Sequence, residues 1–269
     1  MIGTDITLEV RQQASRDGRV TLIGRREAFA SCTKPVILMI HGALRDVTPL
    51  LPWLSLLEPD FDVVFVELPG HGRASPLYPV SIENFAANIG DALTQMLEHR
   101  RIIVVGESLG GLVALALGTG SLPMVRGIVA ADPPLTMGKL WHVTSAVQNH
   151  IASAKDRFWT EFAFNIFGVE GDQLDPDDRI YYPLFDHLSV PTYLLTGDLP
   201  LFPVRSLAGV PCVIDAVDWR TILRHPCKFV RLERINECGH LLLVGAKDRC
   251  LTLIRQLAGE VLGNDVPPQ

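Results

Sequence analysis

The chain has 269 residues, 48% hydrophobic and 20% charged, with a formal net charge of −6 at pH 7. That length and apolar share suit one large domain with a sizeable core and room for an insertion. Scattered Lys and Arg on an acidic chain argue against nucleic acid as the main partner, because phosphate binding needs clustered cations. No apolar run approaches the roughly 18 residues of a membrane span.

The opening stretch MIGTDITLEV has no basic segment followed by an apolar core, so a cytoplasmic protein is expected. The cysteines are Cys32, Cys212, Cys227, Cys238 and Cys250. Their number is odd and no pair has C-x-x-C spacing, which predicts reduced thiols and no metal site. Cys238 stands two residues before a histidine but is read as a packing residue.

ITLEVRQQ and GRVTLIGRREAF read as two strands joined by ASRDG, whose Asp17-Gly18 is hairpin chemistry. KPVILMIHG is a continuous apolar run, the pattern of a strand buried on both faces. FDVVFVELPG, RRIIVVGES, VRGIVAADPP, VPTYLLTGD and CKFVRLERI repeat it. Helical patterns lie at about 46–58, 82–98, 109–119 and 241–262. Strands alternating with helices predict an α/β fold with a mainly parallel sheet covered on both faces. Ligands then bind beyond the carboxyl ends of the strands, where His41, Gly70, Ser108, Asp132 and Asp198 all fall. Residues 133–189 break the pattern, with no strand-like run yet nearly half of the chain's aromatics. They are expected to form a helical cap over a core of 1–132 and 190–269, with some aromatics lining an apolar pocket. The GNDVPPQ tail is expected to be a loose end.

GESLG, residues 106–110, fits G-x-S-x-G between an apolar strand and a helical stretch. A serine on so sharp a turn needs small neighbours, and the helix that follows aims its N–H groups at developing negative charge. Ser108 is therefore the candidate nucleophile. HGAL ends a buried strand, and the glycine lets the Ala43 N–H turn toward the serine; with the Leu109 N–H it would form an oxyanion hole. His240, in NECGHLLL, follows the last predicted strand and is the candidate base. His41 and His71 read as structural residues.

HGAL, ELPGHGRAS, GESLGG and ECGH occur in the order and spacing of the α/β-hydrolase superfamily. Nearly the whole chain resembles that superfamily, most of all its capped esterase, C–C hydrolase and cofactor-free haloperoxidase-like branch. The resemblance implies an eight-stranded sheet, a helical cap and a Ser…Asp…His triad. The serine argues against the dehalogenase and epoxide hydrolase branches, which carry aspartate at that turn. Family members usually carry the acid in the loop after the seventh strand, as G-x-x-D before proline. Here that loop reads TGDLPLFP, which points to Asp198. Asp132, after the sixth strand, is the alternative location, while Asp215 and Asp218 lie in a predicted helix. Glu67 replaces the usual aspartate of D-x-P-G-x-G, with little consequence expected. Glu107 stands before the nucleophile, and its side chain is expected to point away from the pocket toward backbone or a basic group.

The expectation is a serine hydrolase that cleaves a small to medium apolar or aromatic ester, thioester or C–C bond through an acyl-enzyme. No P-loop, metal motif or complete G-x-G-x-x-G is present, so no cofactor is expected. Two other readings stay open: a ligand-binding or signalling protein on a hydrolase scaffold, and a lyase or perhydrolase using the same triad. The sequence does not name the substrate or the oligomeric state.

Overall fold

The structure, a computed structural model, describes residues 7–30, 34–97, 99–154, 156–170, 178–201 and 210–263. Cys32 and the last six residues lie outside these, as do the side chains of Trp141 and His142. A hairpin of β1 (Glu9–Ser15) and β2 (Gly18–Gly24) leads through α1 (Arg26–Ala30) to β3 (Val36–Ile40). α2 (Trp53–Leu57), β4 (Asp62–Glu67), α3 (Ile82–Leu97), β5 (Ile102–Glu107), α4 (Leu109–Leu117) and β6 (Val125–Ala131) follow. Then come α5 (Trp141–Ala154), α6 (Arg157–Phe167), β7 (Thr192–Gly197), α7 (Ala216–Arg224), β8 (Val230–Ile235), α8 (Leu242–Gly245) and α9 (Lys247–Leu262). The eight strands form one sheet in the order β1-β2-β4-β3-β5-β6-β7-β8. β2 runs antiparallel to β1 and β4, and the remaining neighbours are parallel.

Period-two side-chain alternation divides the core between the two faces of the sheet. Val36, Leu38 and Ile40 join the layer that holds Phe85 and Ile89 of α3 and Leu112 of α4. Ile37 and Met39 join the opposite layer, with Trp53 of α2 and Leu253 and Leu257 of α9. All five β3 residues are buried, as its unbroken apolar run required.

Two predicted helices are broken. The one at 46–58 divides into a 3-10 turn, Thr48–Leu50, and α2. Pro49 and Pro52 cannot donate to a helical ladder and so fall at the start of each piece. The one at 241–262 divides at Ala246, whose φ of −132° and ψ of 43° are not helical.

Residues 133–189 carry α5, α6 and a 3-10 turn, Tyr182–His187. Asp156 caps α6 by accepting from Phe158 N at 2.6 Å, and Gly168 ends it at φ 69°. Phe158 and Phe162 are fully buried, and Phe158 lies against Gly70 so closely that a Cβ there would meet its ring at 2.0 Å. A polar latch ties this segment to α7. Asp218, 1% exposed, accepts from Lys139, from the Tyr182 hydroxyl and from Thr136 Oγ1. Lys139 Nζ also lies 3.1 Å from Asp215 Oδ2, the carboxylate that caps α7.

Candidate active site

β5 ends at Glu107 and the chain turns at once into α4. Ser108, at the turn, has φ 58° and ψ −121°, a conformation rarely taken by a residue with a side chain. Such strain costs on the order of 1–3 kcal/mol and persists only when the surroundings impose it. The serine N–H donates to Ala131 O at 2.8 Å, and its carbonyl accepts from Gly111 N at 2.9 Å. A Cβ on Gly106 would lie 2.0 Å from Gly110 O, and one on Gly110 would lie 2.4 Å from Ile40 O. Backbone cannot yield to that degree, so only glycine lets strand, turn and helix close here.

His240 follows β8 and is 8% exposed. Its Nδ1 meets Asp132 Oδ2 at 2.7 Å. Asp132 has no exposed surface and accepts three further bonds: from Thr196 Oγ1 at 2.8 Å, Val213 N at 2.8 Å and Ile214 N at 3.3 Å. Four donors satisfy a carboxylate that burial would otherwise penalise heavily. With Nδ1–H committed to Asp132, Nε2 is the nitrogen left for a proton from substrate or serine. Asp198, expected in this role, does not touch the imidazole. Its Oδ1 accepts from Cys238 N at 3.2 Å, and its N–H donates back to Cys238 O at 3.0 Å. It braces the loop that carries His240. The reason is reach: Gly197, whose Cβ would meet Cys238 O at 2.0 Å, packs the Asp198 backbone against that loop.

Ser108 and His240 line one cavity of about 210 Å³, whose other walls include Val143, Ala146 and Val147 of α5 and Phe167 of α6. A Cβ on Gly42 would lie 3.1 Å from Ser108 Cβ, so the HGAL turn sits directly against the serine. The N–H groups of Ala43 and Leu109 enter no backbone hydrogen bond among the described residues. Of the aromatics of residues 133–189, Phe167 lines this cavity and Trp159 a second one, whereas Phe158 and Phe162 are core. Glu107 bonds backbone and a basic group, the partners the sequence reading named. Its Oε1 accepts from Leu243 N at 2.8 Å and its Oε2 lies 3.6 Å from Arg45 Nη1, yet it also lines the cavity. Burial pushes its pKa up. Thr196, the two main-chain donors at Val213 and Ile214, and Arg45 were not singled out from the sequence. Main-chain donors leave no mark in a sequence.

His41 and His71 have other work. His41 Nδ1–H donates to Gly42 O at 2.7 Å and Nε2 accepts from Leu68 N at 3.0 Å, so the neutral ring ties the end of β3 to that of β4. His71 Nδ1–H donates to Pro69 O at 2.9 Å, and its ring is enclosed by those of Trp159 and Phe162. Burial lowers their pKa values from 6.5 to about 4 and about 3 respectively. The unfolded chain therefore binds protons that the native state refuses. Their contribution to stability is intact above pH 6.5 and declines as pH falls toward about 4. Each ring steepens the decline by up to about 1.4 kcal/mol per pH unit. Urea midpoints of wild type and His71→Phe across this range should show the shallower slope in the variant; a flat wild-type profile would contradict the assignment.

The model of the alpha/beta hydrolase family matches residues 37–267. The chain belongs to that family. Among curated relatives, the pimeloyl-[acyl-carrier protein] methyl ester esterase of Xanthomonas axonopodis pv. citri is 32% identical over 120 residues, 44% of either chain. The human serine hydrolase-like protein is 29% identical over 112 residues, 40% of this chain and 55% of that one. The matches thus span about half the length of these relatives. Among solved structures, an esterase of Pyrococcus furiosus superposes with TM-score 0.65 at 13% identity, covering 96% of this chain and 91% of that one. A thermophilic esterase of Thermogutta terrifontis gives 0.65 at 16% identity, covering 95% and 99%. Both likenesses are of the α/β-hydrolase fold. Among the described residues, no helix is long and apolar enough to cross a membrane.

Proposed function

We propose that the protein is a serine hydrolase acting on carboxylic esters of small to medium apolar acyl groups. The observation that carries this reading is a strained serine sharing one small cavity with a histidine whose far nitrogen is held by a buried, four-donor aspartate. Ser108 Oγ attacks the ester carbonyl while His240 Nε2 takes its proton. Asp132 holds the ring in the tautomer that leaves Nε2 free and stabilises the imidazolium that forms. Negative charge on the carbonyl oxygen is received by the N–H groups of Ala43 and Leu109, a donor pair of the kind worth about 2.7–4 kcal/mol per member. His240 returns the proton to the departing alkoxide, giving alcohol and acyl-enzyme. Water, deprotonated by His240, then releases the acid and restores Ser108. The methyl ester esterases among the relatives favour an oxygen ester over a C–C bond. The apolar walls and the volume of about 210 Å³ favour short acyl groups over long ones.

A fluorophosphonate mimics the tetrahedral intermediate and reports an activated serine. Incubation followed by peptide mass spectrometry should place the label on Ser108. A folded protein that leaves Ser108 unlabelled would instead be a binding protein on a hydrolase scaffold.

A further inference from the structure

Asp132 and Asp218 are buried carboxylates, 0% and 1% exposed, that join the same two chain segments at different points. One segment runs from Asp132 through Pro133, Pro134 and Thr136 to Lys139. The other runs from Val213 through Asp215 to Asp218, and residues 210–215 belong to no helix or strand. At the first crossing Asp132 accepts from Val213 N at 2.8 Å and from Ile214 N at 3.3 Å. At the second, Asp218 accepts from Thr136 Oγ1 at 3.4 Å and from Lys139, and the Tyr182 hydroxyl donates to it as well.

Three successive peptide N–H groups connect the two crossings. Those of Val213 and Ile214 go to Asp132, and that of Asp215 goes to Asp218 Oδ2 at 3.0 Å. Peptide planes are rigid, so only the φ and ψ of Ile214 separate the last two N–H directions. A stretch outside helix and sheet has no ladder to aim its amides, and here a buried acceptor does so. Asp215 tightens the arrangement. Its Oδ1 accepts from Val217 N at 2.8 Å and Asp218 N at 3.0 Å, and its Oδ2 lies 3.1 Å from Lys139 Nζ. An apolar residue at 218 could fill the same space without burying a charge, but it could not accept the Asp215 N–H.

We propose that Asp218 is a positioning residue for the triad. By holding the Asp215 N–H it aims the Val213 and Ile214 N–H groups at Asp132, and so keeps that carboxylate on His240 Nδ1. This assignment rests on the serine hydrolase reading above and adds to its machinery a residue that does not line the Ser108 cavity.

The test is a double-mutant cycle. kcat and KM for a short-chain ester, and the fluorophosphonate labelling rate, are measured on wild type, Asp218→Asn, Asp132→Asn and the double variant. Asp218→Asn should lower kcat by about tenfold, within the range of coupling in a shared network, and leave KM within about twofold. In the Asp132→Asn background the same change should cost about twofold or less, because the carboxylate it aims is gone. The proton between His240 Nδ1 and Asp132 gives a readout that needs no turnover. Its far-downfield NMR signal should shift or broaden in Asp218→Asn. Tyr182→Phe removes one donor to Asp218 and keeps both charges, so it carries the cycle if Asp218→Asn does not fold, with a loss of about threefold expected where Asp132 is intact. Equal losses in both backgrounds, an unchanged kcat, or a proton signal identical to that of wild type would overturn the proposal and leave the hydrolase reading standing. A wild type that neither hydrolyses esters nor labels overturns that reading, and the proton signal alone then decides the role of Asp218.

Discussion

Asp132→Asn should lower turnover of a short-chain ester by about 10⁴, the size of loss seen when the acid of a related triad is replaced by its amide. The geometry gives the reason. Asp132 Oδ2 receives both His240 Nδ1 and Val213 N. An amide NH₂ at that place cannot accept from the ring, so the imidazole turns to the tautomer whose Nε2 already carries a proton. Asp198→Asn should cost about tenfold or less, because it weakens one peripheral bond to the His240 loop. Ester kinetics and fluorophosphonate labelling rates on the two variants would settle the matter. The opposite ranking would return the acid role to Asp198 and require the loop after β7 to rearrange in solution.

Ser108→Ala should remove about 10⁶ of kcat, the scale on which a serine protease loses its nucleophile. Its melting temperature should change little, since alanine inherits the same φ of 58°. Ser108→Gly should be just as inactive but more stable, by about 1 kcal/mol, because glycine adopts that backbone without penalty. Calorimetry on the three proteins checks this. An alanine variant that retained substantial ester turnover would remove Ser108 from the chemistry. A glycine variant no more stable than wild type would mean that the turn stores no strain.

The parts of the site that the sequence announced are local. A strand, a glycine-flanked serine and a helix are consecutive residues, and each glycine there is required by a backbone approach that one can anticipate from the turn. HGAL and ECGH are likewise strand-end signatures. The acid is not local. Both Asp132 and Asp198 follow buried strands that are neighbours in the sheet. Choosing between them depends on where the His240 loop lies after β8, which no short stretch encodes. TGDLP places its aspartate directly after Gly197 and not three residues on, as G-x-x-D would, and that departure was the available sign against Asp198. The helix limits within 46–58 are local by contrast, since Pro49 and Pro52 themselves mark where the pieces start. Arg45 left no pattern, because its approach to Glu107, 62 residues away in sequence, exists only in the folded chain.

Val213 is asked to do two separable things. Its amide holds the buried carboxylate, while the residue is also among those lining the Ser108 cavity. The amide is common to every residue except proline; the side chain is not. The side chain at position 213 can therefore vary while the bond to Asp132 is kept, a freedom that a side-chain donor at the same place would have closed off. A saturation library there should separate along that line. Proline should abolish turnover, and the other residues should redistribute preference among substrates at a conserved pH profile.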